Sequence, residues 1–486
     1  MNARVALKER TAIALGLVPF LALVALHWNL EPPAEAADYA QYILHARNLV
    51  AGRPYSDTGY LFTPLNWAIG PSAYPPGLPL TIAPPLAMGA GLQTLRIVAI
   101  ASMIVFLVVA GTYFARHTSP WMAMGVVAMT GVAIESTYTS TQLLSDPGFC
   151  ALLWAVIWLV DRERTWSTAT VAAVSALGLA AMLYRVPGVV LIPALLVWWT
   201  MHRRRYGGAP AVAAALWMAA IAAGALLSGV HSLLPRAGES LDPATLLYRL
   251  RGAIGSYRLA LSEAQTYPFA ANLPNDIYHA LAGLAALIGL VVLVRARPRS
   301  FLHICAGIYA AMLAVAPVKD GRYLWLLYPL IAAATLAGVR AILGRVSQAQ
   351  WERVVGIAAL GVSLIAATTV ARRPDPPSLL GDRDVQQLFA FAQSARATSN
   401  ARFQFVNPRV LTLHTGVPAM GTIPADRLGQ AIAEYERLRI THVVIGGPGT
   451  APEDNVAVAR LVRENPERFS LVLRTPTLQV HRFRGP

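Results

Sequence analysis

Charge is scarce in this chain. Of its 486 residues only 13% are Asp, Glu, Lys or Arg, while 56% are hydrophobic. A water-soluble protein of this length needs far more charge to cover its surface, so the composition points to an integral membrane protein. Cysteine is scarcer still. The two that occur, Cys150 and Cys305, both fall inside apolar runs, with no CxxC partner and no nearby histidine. They read as small buried hydrophobes rather than a disulfide or a zinc site. Familiar catalytic signatures are missing as well: there is no Walker A loop, no HExxH and no GxSxG elbow. The Gly-rich VIGGPGT at 444–450 reads as a strand-to-loop turn. The ten histidines are scattered and form no metal set.

Acidic residues are outnumbered, 25 against 40 basic ones, for a net charge of +15. In a soluble chain that balance would suggest nucleic acid. Here the basic residues cluster in short loops between apolar runs and lack the interleaved aromatics of a nucleic-acid groove, so they report topology and no nucleic-acid partner is expected.

The apolar runs predict a polytopic all-α bundle, since only helices and closed barrels satisfy their backbone in lipid and the alternating segments of a barrel are absent. About eleven spans are expected, at roughly 20 residues each. They lie near residues 11–29, 95–115, 119–134, 147–160, 167–184, 186–201, 210–229, 278–294, 301–317, 323–339 and 352–370. Arg-dense short loops at Arg116, Arg162, Arg203–Arg205, Arg295–Arg299 and Arg340–Arg353 alternate with longer loops that carry the acidic residues. The positive-inside rule places the Arg loops and the N-terminus in the cytoplasm and everything after residue 370 outside. The basic start and the "AEA" at 34–36 resemble a signal peptide, but the first apolar run is long enough to be a retained span.

The domain boundary is expected at 373/374. Residues 1–373 form the transmembrane part, with outer loops at about 30–94 and 231–277. From Pro374 charge rises and apolar runs shorten, which predicts a small extracytoplasmic α/β domain of about 110 residues. There "DRDVQQLFAFAQSARA" reads as a helix, "RFQFV" and "RVLTL" as strands, and "FSLVLR" with "LQVHRF" as a closing hairpin.

Chemistry is expected on the outer face. In the helix that follows the first span, Asp38, Gln41, His45 and Asn48 form one polar stripe and Tyr39, Tyr42, Ile43, Ala46, Leu49 and Val50 the apolar one. This predicts an interfacial helix whose polar stripe lines an aqueous cavity. Asp38 with Gln41 three residues on also fits a capping box, so capping and chemistry both stand as readings. Asp146 in "LLSDPGF" marks a helix start at Asp-Pro, yet a carboxylate where a helix enters the bilayer is costly without a partner or a task. Glu135, at the outer end of the preceding span, either shares that pocket or is simply solvated. Arg185 in "MLYRVPGVV" has nothing else charged near it in sequence, and Arg322 in "VKDGRYLWLLYPL" opens a late span. Both suit either a snorkelling anchor or the binding of an anionic phosphate.

Taken in order, the acidic residue early in the first outer loop, "YPPG", "LSDP" and "GRYLWLLYPL" resemble the GT-C glycosyltransferases, specifically the protein O-mannosyltransferase and lipid A aminoarabinose transferase group, over about residues 10–345. The resemblance implies a transferase working on the outer face of its membrane, with a polyprenyl-phosphate-linked sugar as donor and a glycan, lipid or protein as acceptor; the Ala- and Arg-rich usage and the short loops suggest a bacterial inner membrane. It implies catalytic roles for Asp38 and Asp146, donor-phosphate binding by Arg185 and Arg322, and a cavity to which Glu135, Tyr74 and His45 contribute. Two positions depart from the group. Tyr39 stands where many members have a second acidic residue, so no divalent metal or other cofactor is expected. Ala73 and Tyr74 replace a charged pair before the Pro-Pro, so aminoarabinose and lipid A are not supported. A transporter or flippase for a lipid-linked or small substrate is the alternative. Its paired broken helices near mid-membrane are not evident here, and the carboxylates instead gather on one face.

Overall fold

A computed structural model describes residues 3–28, 38–133, 142–162, 165–228, 247, 249–253, 272–316, 320–344, 348–371, 378–448 and 452–485. In chain order the helices begin with α1 (Ala3–Leu26), α2 (Asp38–Val50), α3 (Gly77–Ala87), α4 (Leu92–His117), α5 (Pro120–Gly131) and α6 (Asp146–Arg162). They continue with α7 (Thr168–Tyr184), α8 (Leu191–Tyr206), α9 (Ala209–Ser228), α10 (Asn272–Ala296), α11 (Phe301–Val315), α12 (Tyr328–Leu343) and α13 (Gln348–Ala371). Four more, α14 (Arg383–Thr398), α15 (Pro408–Thr415), α16 (Ala431–Leu438) and α17 (Pro452–Glu464), follow among the strands near the C-terminus.

The chain divides into two compact units. The first comprises Met1–Trp28, Arg96–Ser140 and Leu144–Arg373, and is helical. Six of the helical stretches are long and apolar enough to cross a membrane: Leu7–Leu26, Leu92–His117, Val186–Tyr206, Asp276–Ala296, Gly321–Leu343 and Gln350–Thr369. The other expected segments are helical too, but among the described residues they do not reach that mark. Among the described residues, six spans are supported by length and composition, and the chain is a multi-pass membrane protein. Large apolar side chains such as Leu281, Leu284 and Leu287 on α10 point outward, as lipid-facing residues do. Inside, Trp154 is fully buried and donates its indole N–H to the Leu326 carbonyl at 3.0 Å, which satisfies the polar end of a large core side chain. Helices α10 and α12 touch backbone to backbone. A Cβ on Gly289 would stand 1.7 Å from the Ala334 carbonyl oxygen, and one on Gly338 equally close to that of Ala285. Only glycine permits this approach, the usual means of tight helix contact in lipid.

The second unit comprises Asn29–Leu95, Thr141–Leu143 and Pro374–Pro486. The loop region before α4 thus groups with the C-terminal residues, where the sequence alone attaches it to the transmembrane part. The reason is a shared six-stranded sheet of β1 (Tyr60–Leu61), β2 (Phe403–Gln404), β3 (Ala419–Met420), β4 (His442–Gly446), β5 (Phe469–Arg474) and β6 (Leu478–Phe483), in the order β1-β3-β2-β4-β6-β5. Strands β1, β3, β2 and β4 are parallel, with Tyr60 opposite Ala419 and Phe403 opposite His442; β6 and β5 run antiparallel. The expected hairpin is present, and a bulge between Leu471 and Leu473 interrupts its outer strand, a common way to blunt an exposed edge. Leu61 and Leu65 from the outer loop pack on the core formed by Met420, Ile423, Tyr435 and Val443.

One expected strand is a helix. "RVLTL" lies in α15, which starts at Pro408 in its first turn and stops at Gly416, in the left-handed region at φ 67°, with the Gly416 N–H bonded to the Thr412 carbonyl. Proline at the start and glycine just past the end are strong helix signals that outweigh a short apolar stretch with β-branched residues.

Candidate active site

In the sheet-containing unit three of the expected residues come together. Asp38 opens α2, and its Oδ1 accepts a hydrogen bond of 2.7 Å from the Tyr74 hydroxyl. The same oxygen faces Arg409 Nη1 at 3.4 Å. Arg409 also donates to the Tyr74 hydroxyl and, through Nη2, to the Pro71 carbonyl at 3.2 Å. Its guanidinium lies over the rings of Tyr60 and Tyr74, 4.8 and 4.6 Å from their centroids. The carboxylate therefore meets a donor from "YPPG" and a cation from α15, parts of the chain that sequence distance gave no reason to join.

Tyr74 is clamped on every side. Its N–H donates to His45 Nε2 at 3.1 Å, and its carbonyl accepts from the Tyr55 hydroxyl at 2.8 Å. His45 is fully buried, stacks on Tyr55 with centroids 4.1 Å apart, and is 2.7 Å from the Tyr55 carbonyl through Nδ1. Burial, foremost, and nearby Arg409 lower its pKa to about 4 against the pull of the Tyr55 carbonyl. The ring is therefore neutral near pH 7, with its proton on Nδ1 and its Nε2 lone pair available to the Tyr74 N–H. Burial also pushes the Tyr74 hydroxyl well above its ordinary pKa, so it stays protonated and donates to Asp38. Gly70 completes the nest: its φ of +95° suits glycine, and a Cβ there would stand 3.1 Å from Arg409 Nη2 and 3.3 Å from the Tyr74 hydroxyl.

The polar stripe of α2 does not line an aqueous cavity. Gln41, His45 and Asn48 are all buried. Gln41 donates to the Ser72 carbonyl at 2.7 Å and Asn48 to that of Asp57 at 2.7 Å, so the stripe ties down the loop wrapped over it. Carbonyls that a loop turns toward a buried helix face must find donors, and here the helix supplies them. Asp38, with its side chain 27% exposed, is the member that reaches outward.

The helical unit holds a second cluster. Asp146 opens α6 and forms an ion pair with Arg185, which caps the C-terminal end of α7. The charge that Arg185 lacks in sequence is thus supplied in space. Asp146 Oδ2 is buried and meets no hydrogen-bond donor among the described residues. The Arg185 guanidinium lies 5.3 Å from the Tyr323 ring centroid, and the Tyr323 carbonyl accepts from the Tyr309 hydroxyl at 2.8 Å. Arg322, next to Tyr323, is bound through Nε and Nη2 to Asp320 Oδ2 at 2.9 and 2.7 Å. Glu135 lies outside the described residues. In the same unit α10, α11 and α12 flank a partly open apolar cavity of about 940 Å³, lined among others by Gly307, Ala310, Leu327 and Ile331. Among the described residues no group of three or more His, Cys, Asp or Glu gathers to hold a metal.

No protein-family model and no curated protein matches the chain. Solved structures do. ArnT from Cupriavidus metallidurans bound to undecaprenyl phosphate is 15% identical, with a TM-score of 0.51 over 97% of either chain. The same protein in the apo state is 16% identical, with a TM-score of 0.53. An Archaeoglobus fulgidus oligosaccharyltransferase in the apo form is 11% identical, with a TM-score of 0.53 over 90% of this chain and 69% of its own. At such identities the agreement lies in the backbone, and what it establishes is that this chain has the fold of the GT-C glycosyltransferases.

Proposed function

We propose that the protein is a membrane glycosyltransferase that moves a sugar from a polyprenyl-phosphate donor to a glycan, lipid or protein acceptor on the extracytoplasmic face of a bacterial inner membrane. The observation that carries this reading is the Asp38 site: a partly exposed carboxylate whose inner oxygen is held by Tyr74 and Arg409, in a chain with the GT-C fold. Asp38 takes the proton of the acceptor as its oxygen or nitrogen attacks the anomeric carbon. The bond from that carbon to the donor phosphate breaks, and the lipid phosphate leaves with the bonding electrons. Arg185 and Arg322 are assigned to that phosphate, whose growing charge a guanidinium meets in bidentate fashion. The apolar cavity beside α11 suits the prenyl chain, since its walls offer hydrocarbon and almost nothing polar. The groups that meet Asp38 Oδ1 are donors, a phenol and a guanidinium, rather than metal ligands, so the reading includes no metal at this carboxylate.

The topology belongs to the same proposal: eleven membrane passes, cytoplasmic N-terminus, periplasmic C-terminal domain. The test uses protein in lipid nanodiscs with a panel of radiolabelled polyprenyl-phosphate sugars and an envelope extract as acceptor. Label should leave the lipid with the wild type and stay on it with Asp38→Asn. A folded wild type that moves no sugar but carries lipid-linked substrate across a vesicle membrane would replace the transferase with a flippase.

A further inference from the structure

By its place in the sequence the C-terminal segment is an appendage to the membrane helices. The contacts of Arg409 argue otherwise. This side chain is 1% exposed, one of the most deeply buried cations of the described residues, and it comes from the first turn of α15, 371 residues from Asp38. A cation is not buried without partners that repay its desolvation. Those partners are the Asp38 carboxylate, the Tyr74 hydroxyl, the Pro71 carbonyl and two tyrosine faces. None of them is a surface acid of the C-terminal segment itself. The local structure is built around this placement: Pro408 fixes the start of α15, Gly416 ends it after two turns, and Gly70 leaves room for the guanidinium.

Resting on the transferase reading above, we infer that Arg409 is a positioning residue of the Asp38 site, which is complete only when α15 docks. The guanidinium and the Tyr74 hydroxyl both engage Oδ1, which stops rotation of the carboxyl group and fixes the direction in which its other oxygen points. Arg409 does not touch substrate. It acts through Tyr74 and Asp38, and Tyr74 is in turn held by His45 and Tyr55.

The experiment compares steady-state transfer by full-length wild type, Arg409→Lys, Tyr74→Phe and the double variant, all in nanodiscs and normalised to folded protein. Lysine keeps the charge and loses the fork, so kcat should fall about 10²-fold, the scale of a misplacement near 1 Å. The donor KM should stay within about twofold, since Arg409 does not bind donor in this scheme. Because both substitutions release the same oxygen, the double variant should be no slower than the slower single one. Arg437→Gln, an exposed cation paired with Glu434 in the same segment, serves as control and should leave kcat unchanged. Should Arg409→Lys fail to fold, Tyr74→Phe, which keeps the ring, carries the test alone. Unchanged kcat in either folded single variant, or losses that multiply in the double, overturns the inference while leaving the transferase standing. A wild type inactive with every donor overturns the transferase itself, and the inference with it.

Discussion

The two carboxylate clusters are built on one plan with the roles exchanged. Asp38 and Asp146 each open a helix and each meets an arginine from another part of its unit. At the first site the arginine is the buried member, 1% exposed, and the acid reaches outward at 27%. At the second the acid is buried at 4% and the arginine is the more open, at 17%. In such a pair the open member can meet a ligand and the buried one can only hold it. On the transferase reading, the first site then offers an oriented base and the second an oriented cation. This refines what the motifs implied for Asp146: on this reading it supports Arg185 rather than reacting.

The comparison can be broken experimentally, the heaviest blow first. Asp38→Asn should cut kcat by about 10²- to 10⁴-fold, the usual worth of a general base, and also lower the melting temperature, because it leaves the buried Arg409 guanidinium without its carboxylate. Asp146→Asn should chiefly lower the melting temperature. Removing the buried half of an ion pair costs about 3 kcal/mol of stability, read as a lower melting temperature, while kcat of the remaining folded protein falls far less. If Asp146→Asn matched Asp38→Asn in kcat, the two sites would be alike after all.

His45 sharpens the picture through pH. Its pKa lies at about 4 in the folded chain against 6.5 for the free side chain. The unfolded chain thus takes up the proton first, and folding stability falls as pH drops from 6.5 to 4, then levels off. The loss attributable to His45 is about 3 kcal/mol, and in His45→Gln the slope of stability against pH across that window should flatten. A smaller effect tests the cavity. Gly307 lines it, and a Cβ there would meet nothing within 4 Å. Gly307→Leu should therefore fold normally and raise the donor KM about tenfold, equivalent to about 1.4 kcal/mol of lipid binding. Chelation with EDTA should have no effect on turnover.

Much of the helical unit was legible because long, nearly uninterrupted apolar runs leave a helix as the structure that satisfies its backbone in lipid. Asp38, His45 and Tyr74 were also legible, as a polar stripe and a "YPPG" motif. Their arrangement was not. The stripe looked ready for water because nothing in the sequence showed that residues 54–58 and 72–74 would cover it and take its hydrogen bonds. Strand β1 is two residues long, below any periodic signal, and gains its identity from β3. Arg409 sat inside five residues that read as a short strand, and its partners lie hundreds of positions away. Proline and glycine at either end of α15 were the one available clue.

The pairing of β1 with β3 also sets a clock. Asp38 and Arg409 are 371 residues apart, and at about 5–20 residues per second the ribosome needs roughly 20–70 s to make the intervening chain. For that interval α2 and its loop exist without the strand and the cation that complete their site. A chain released early would carry its membrane helices and its carboxylate, but not a fixed one. Under the reading proposed here, the last fifth of the sequence thus acts as a quality mark: the enzyme becomes competent only once it is whole.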